Sequence, residues 1–66
     1  MINTVKIIGS GLIGTSIGLA LKTNSKAGIT QVLMQDTDLK AQKLAQSLVD
    51  PAADDSIKSF DLVVVV

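Results

Sequence analysis

The sequence predicts an α/β fold in which parallel strands alternate with helices. Three observations predict it. Apolar, β-branched runs of strand length stand at residues 4–8, 30–35 and 61–66. Between them lie two longer segments whose apolar residues recur at helical spacing. The last run, Leu62-Val63-Val64-Val65-Val66, is apolar at every position, as a strand buried on both faces of a parallel sheet is. Such alternation implies layered packing with right-handed crossovers.

The elements follow in order. Thr4-Val5-Lys6-Ile7-Ile8 runs into a glycine and reads as a buried strand. From Leu12 the period changes: Ile13, Ile17, Ala20 and Leu21 form one stripe of a helix that ends near Lys22 or Thr23. Asn24-Ser25-Lys26-Ala27-Gly28 is a polar turn closed by glycine. The second strand, from Thr30 to Gln35, ends at Asp36. Thr37 and Asp38 then offer capping oxygens to a second helix, and a negative charge at Asp38 suits its dipole. Ala41, Leu44, Ala45 and Leu48 are expected inward there, with Lys40, Gln42, Lys43 and Gln46 outside. Pro51 disfavours helical geometry at Asp50, so the helix should stop near Val49. Residues 51–59 form a polar connection with one helical turn around Asp54 to Lys58. The strand after it meets no terminating signal. The expectation is therefore the first β-α-β-α-β part of a doubly wound parallel sheet, truncated at Val66, with residues 1–66 forming part of one domain and no substrate or dimerisation domain. The position of the third strand in the sheet stays open.

Composition excludes several classes. With 47% hydrophobic residues the 66-residue chain is globular rather than disordered. Six lysines balance six aspartates, which argues against nucleic acid or an anionic membrane as partner. There is no cysteine, hence no disulfide or thiolate zinc site, and a cytoplasmic protein is expected. Lys6 followed by the apolar stretch to Leu21 has the outline of a signal peptide. Glycines and hydroxyl residues interrupt it, however, and no A-x-A cleavage site follows. Its apolar length also falls short of the ~20 residues that span a bilayer. A domain of about 60 residues buries only about 60% of its unfolded surface. The 66 residues alone are therefore expected to be poorly soluble or partly folded, with Val63 to Val66 lacking a covering layer.

The chemistry concentrates in Ile7-Ile8-Gly9-Ser10-Gly11-Leu12-Ile13-Gly14-Thr15-Ser16. Its glycines are spaced G-x-G-x-x-G between a strand and a helix, which is the Rossmann-like dinucleotide fingerprint. Gly9 permits a tight exit from the strand, Gly11 lets backbone approach a pyrophosphate, and Gly14 permits close packing of helix on sheet. The N–H groups of Leu12 and Ile13 then face the phosphates with the helix dipole in their favour. Gly18 lies on the same helical face as Gly14 and extends that close contact, or is simply a tolerated helix glycine. Asp36 stands 22 residues after Gly14, where its carboxylate can accept from the adenine ribose hydroxyls. The alternative role for it is a helix cap, which Thr37 or Asp38 could also fill. A carboxylate there repels a 2′-phosphate, and the chain has no arginine to hold one, although Lys40 is within reach. NAD is accordingly expected in preference to NADP. Asp54 and Asp55 read as loop and cap residues and Asp61 as a turn residue before its strand, rather than as a metal cluster. Thr15 and Ser16 have no histidine to activate them. No catalytic set and no metal site is expected.

The same residues carry a family likeness. Gly9-Ser10-Gly11-Leu12-Ile13-Gly14-Thr15-Ser16, with Leu19-Ala20-Leu21-Lys22, resembles the G-x-G-L-I-G-x-S…A-L-K opening of prephenate and arogenate dehydrogenases. Val32 to Asp38 is similar to their second strand ending in an acid, and Asp61-Leu62-Val63-Val64 to their strand before the nicotinamide side. Thr15 departs from the pattern, since many members carry a further glycine there. The resemblance implies an oxidoreductase of tyrosine biosynthesis that transfers hydride from prephenate or arogenate to NAD(P)+ with loss of the ring carboxylate, in a homodimeric parent. It maps Gly9, Gly11, Gly14 and Asp36 onto cofactor-binding positions. The family's catalytic histidine and substrate-holding arginines lie beyond the matched stretch, and these 66 residues contain neither residue type. Two other readings stand beside it: another dehydrogenase on the same sheet, such as a β-hydroxyacid dehydrogenase, and a non-catalytic NAD-sensing module.

Overall fold

The computed structural model describes residues 2–9, 11–24 and 28–66. Five elements succeed one another in the expected order: β1 (Thr4–Ile8), α1 (Leu12–Thr23), β2 (Gln31–Gln35), α2 (Leu39–Val49) and β3 (Leu62–Val65). The strands form one all-parallel sheet in the order β2-β1-β3. The position that the sequence left open is thus decided: the third strand pairs with β1, Val5 opposite Leu62 through Ile8 opposite Val65. On the other side β1 pairs with β2, Thr4 opposite Gln31 through Ile8 opposite Gln35.

Partners across a parallel ladder project to the same face, so the alternation of β1 sorts the whole sheet. Val5, Ile7, Val32 and Met34 share one face and make the core with Ala45 and Val49 of α2. Ile17, Leu21, Leu62 and Val64 pack around them. The opposite face carries Lys6, Leu33 and Val63, with the Lys6 ammonium 5.4 Å from the centre of the Phe60 ring. That face is covered only in part. Val65 is 72% exposed and Val63 is also exposed, so the two-sided burial expected of β3 is met only on the Leu62 and Val64 side.

Both helices are rotated from the faces that their large apolar residues suggest. In α1 the buried residues are Gly14 and Gly18, with Ile17 and Leu21 half-buried, while Ile13 and Ala20 face out. The cause is distance. A β-carbon at Gly18 would lie 3.0 Å from Val49 Cγ1 and 3.2 Å from Met34 Sδ, so the glycine side brings α1 nearer than an isoleucine side could. The close-contact reading of Gly18 holds.

In α2 Ala45 is buried as expected and Ala41 half-buried, but the expected inward residues Leu44 and Leu48 are exposed, and Val49 is buried instead. Gln42 and Gln46, expected outside, are half-buried. The reason is the outer edge of β2, whose backbone groups need partners. The Val32 N–H donates to Asp50 Oδ2 at 3.0 Å, the Met34 N–H to Gln46 Oε1 at 2.8 Å, and the Asp36 N–H to Gln42 Oε1 at 2.8 Å. Gln46 Nε2 returns a bond to the Val32 carbonyl at 2.9 Å and another to the Asp50 carbonyl at 2.7 Å. Residues 42, 46 and 50 recur every four positions, so one face of α2 and its C-cap supply what a neighbouring strand would. Asp50 is only 4% exposed. Its charge is met by Lys22 Nζ at 3.5 Å, which also donates to the Thr30 carbonyl at 2.8 Å.

The connection from α2 to β3 forms no helix, and of the helical turn expected at Asp54 to Lys58 it keeps one hydrogen-bonded turn, the Ile57 N–H donating to the Asp54 carbonyl at 3.3 Å. The Asp54 side chain closes the same turn, its Oδ1 accepting from the Ser56 N–H at 2.9 Å and the Ser56 hydroxyl at 2.6 Å. These bonds hold its carboxyl below the usual carboxylate range. Of the turn expected at 24–28, residues 25, 26 and 27 lie outside the described residues, while Gly28 closes it at φ +72°. No helix among the described residues is long and apolar enough to cross a membrane.

Candidate functional site

Every residue singled out for cofactor contact lies at the carboxyl edge of the sheet or just beyond it. β1 and β2 end side by side, Ile8 opposite Gln35, so Gly9 and Asp36 come next as neighbours. The Gly9 N–H donates to the Gln35 carbonyl at 2.7 Å, which ties the glycine turn to the residue before Asp36. In parallel α/β sheets this edge is where ligands bind.

The three glycines differ in what requires them. Gly9 has φ +105°, a conformation that side chains rarely adopt. A β-carbon there would also lie 2.7 Å from the Val66 carbonyl oxygen. At Gly14 a β-carbon would collide with the Gly9 carbonyl oxygen, 1.9 Å away. Both are demanded by the fold itself. Gly11 is not: its backbone is extended, at φ −60° and ψ −168°, and a β-carbon would meet nothing within 4 Å. The space beside it lies outside the protein's own packing. Ser10 lies outside the described residues.

Gly9, Gly11, Leu12, Ile13, Gly14 and Val66 line an open depression of about 450 Å³. Leu12 is 85% exposed and Ile13 68%, so the two residues after Gly11 present apolar side chains to solvent at its rim. The two helix starts differ. α2 is capped by Asp38, whose Oδ1 accepts from the Lys40 N–H at 3.0 Å and the Ala41 N–H at 3.3 Å. α1 begins at Gly11 with no side-chain cap and no acidic residue in its first turn. The N-terminal N–H groups of a helix are electropositive, and the first turn of α1 holds no carboxylate to offset them.

Asp36 comes directly after the last residue of β2. Its Oδ1 accepts from the Asp38 N–H at 2.9 Å and lies 3.5 Å from the Thr37 hydroxyl. Capping of α2 falls to Asp38, as the sequence allowed, so the helix does not depend on Asp36 for it. The structure does not join Asp36 to the glycine depression in one cavity. Asp36 lines a separate hollow of about 370 Å³ with Lys6, Gln42, Asp55 and Phe60 among its walls. Lys40, weighed as a phosphate-binding residue, is exposed in the first turn of α2.

Two residues at the site escaped sequence reasoning. Val66 crowds the glycine turn: its N–H donates to the Ile8 carbonyl at 3.0 Å, and its Cγ2 would lie 3.2 Å from a β-carbon at Gly14. Only the pairing of β3 with β1 puts it there. Gln42 holds the Asp36 N–H. The signal for it was present in the recurrence of polar residues at 42, 46 and 50. The acidic residues read as turn or cap groups serve locally. Asp61 Oδ2 accepts from the Asn3 and Thr4 N–H groups at 2.8 and 3.2 Å, tying the entry of β1 to that of β3 and keeping its carboxyl below the usual range.

Over 62 residues, 94% of its length, the chain is 44% identical to a protein of Streptomyces niveus named probable prephenate dehydrogenase NovF. The matched stretch is 16% of that protein, so the chain spans about one sixth of its relative's length. No family model matches the chain, and no solved structure matches it significantly. A parallel β-α-β-α-β unit with the glycine fingerprint in its first turn agrees with this likeness to a probable prephenate dehydrogenase.

Proposed function

We propose that the chain supplies the dinucleotide-binding portion of an NAD-preferring dehydrogenase of the prephenate or arogenate type. The observation that carries this reading is Gly11. It is a glycine that the fold does not require, placed at the uncapped start of α1 and on the wall of the depression. A pyrophosphate seated against that wall would approach the backbone where a β-carbon would stand in its way. The N–H groups of the first turn of α1 would donate to it, with the helix dipole favouring the negative charge. Leu12 and Ile13 would exclude water from one side. Asp36 would accept from the ribose hydroxyls, and its charge would oppose a 2′-phosphate. Bound NAD+ supplies a hydride acceptor. The reading assigns these residues to holding and orienting it, and assigns proton transfer and substrate carboxylate binding to none of them. The likeness to a probable prephenate dehydrogenase supports prephenate or arogenate as the substrate class.

Titration of the purified protein with NAD and NADP tests this reading. Gly11→Ala should leave the melting temperature unchanged and weaken NAD binding by about tenfold or more, the worth of one or two charge-assisted hydrogen bonds. Asp36→Ala should weaken NAD binding more than NADP binding. If Gly11→Ala binds NAD as tightly as the parent, the phosphate site is misplaced.

A further inference from the structure

The proposed cofactor site gives Asp36 the ribose contact, and its preference for NAD rests on where that carboxylate points. Asp36 lies past the end of β2, on the outer edge of the sheet, where among the described residues no strand flanks β2. A residue in that position would ordinarily take its orientation from the next strand or from a loop. Here the partner is Gln42, whose Oε1 accepts the Asp36 N–H at 2.8 Å. Gln42 comes from the second turn of α2, the helix that Asp38 begins. Asp38 in turn donates its own N–H to Asp36 Oδ1 at 2.9 Å. Gln42 thus holds the Asp36 backbone and Asp38 one of its carboxylate oxygens, and these two anchors belong to α2 and its cap.

We infer that Gln42 is a positioning residue for the cofactor site: by fixing the Asp36 backbone it sets the direction of the carboxylate and with it the preference for a ribose hydroxyl over a 2′-phosphate. This role rests on the proposed dinucleotide function. In this role Gln42 acts through Asp36, with which it shares a hollow. The neighbouring rung of the same ladder supplies an internal control. Gln46 makes bonds of the same kind to Met34 and Val32, one turn further along α2 and inside the strand rather than at its functional end. A role confined to stability would make the two glutamines equivalent. A positioning role would separate them.

The test compares Gln42→Met, Gln42→Asn, Gln46→Met and Asp36→Ala in the purified protein, by NAD and NADP titration and by amide hydrogen exchange without cofactor. Methionine keeps the length of glutamine without its acceptor; asparagine stays polar but is one methylene too short, and serves if the methionine variant does not fold. Either change at Gln42 should weaken NAD binding about three- to tenfold, as loss of one hydrogen bond predicts, with a smaller effect on NADP. It should also speed exchange of the Asp36 N–H. Gln46→Met should lower the melting temperature at least as much, yet leave the cofactor preference and the Asp36 exchange rate as in the parent. The inference is overturned if Asp36→Ala narrows the preference and the Gln42 variants do not. It is equally overturned if Gln42 and Gln46 variants narrow it alike, or if Asp36 exchange is unaffected at Gln42. If Asp36→Ala itself leaves the preference intact, the ribose reading fails and the role of Gln42 falls with it.

Discussion

Gly14→Ala is the sharpest probe of the turn that builds the site. The new β-carbon would lie 1.9 Å from the Gly9 carbonyl oxygen, 3.0 Å from the Gly9 carbonyl carbon and 3.2 Å from Val66 Cγ2. Ordinary contact begins near 3.4 Å, so backbone must separate from backbone by about 1.5 Å. The Gly9 side cannot yield easily. Its φ is already +105°, and its N–H is engaged with the Gln35 carbonyl at 2.7 Å. Against this, alanine at a helix position gains about 1 kcal/mol of propensity over glycine. Overpacking of well-filled sites costs about 1–3 kcal/mol and more where backbone must move, and here the clash is with backbone. The expected balance is a net loss of about 2 kcal/mol or more, read as a lowered urea midpoint with the slope unchanged. Gly18→Ala is the calibrating variant. Its β-carbon would meet Val49 methyls at 3.0 and 3.1 Å and Met34 Sδ at 3.2 Å, side-chain atoms that can give by tenths of an ångström. Propensity and crowding should then nearly cancel, within about 1 kcal/mol. A Gly14→Ala protein as stable as the parent, or less affected than Gly18→Ala, would refute the packing argument.

Two further outcomes concern the charged groups. Lys22→Met should destabilise the fold by about 1–2 kcal/mol in chemical denaturation, because it leaves the buried Asp50 carboxylate without its cation; the part-exposed lysine and its 3.5 Å separation keep the effect below that of a fully buried pair. The carboxyl of Asp61 is held below its usual range by the Asn3 and Thr4 N–H groups. Its contribution to stability is therefore present above the unfolded-state pKa and lost as pH falls through the lower folded-state value. Melting temperatures followed from about pH 7 to about pH 2 should fall less steeply on the acid side for Asp61→Asn than for the parent; parallel curves would count against the staple between Asp61 and the entry of β1.

The order of elements, the all-parallel sheet, the glycine turn and the end of β2 at Asp36 were legible in the sequence, because each depends on local chemistry. Branched residues make short strands, a glycine spacing forces a particular turn, and Asp38 caps the helix that begins beside it. The likeness to prephenate dehydrogenases was legible for the same reason, being carried by the consecutive residues of that turn. Helix orientation was legible only in part. The close packing read at Gly14 and Gly18 and the inward placing of Ala45 held, but apolar periodicity also pointed Ile13, Leu44 and Leu48 inward, where they are exposed, and missed Val49, which is buried. The summed size of side chains does not reveal how closely two elements approach. Nor does it reveal that an edge strand will recruit polar side chains to complete its ladder. The tertiary structure decided the neighbour of β3, which the residues themselves left open, and so brought Val66 against Gly9 and Gly14. It alone separated the glycines that the fold requires from Gly11, which it does not. And it alone turned Gln42 from an apparent surface residue into the partner of Asp36. These are relations between segments far apart in the chain, set by which surfaces can come together without leaving a backbone group unpaired.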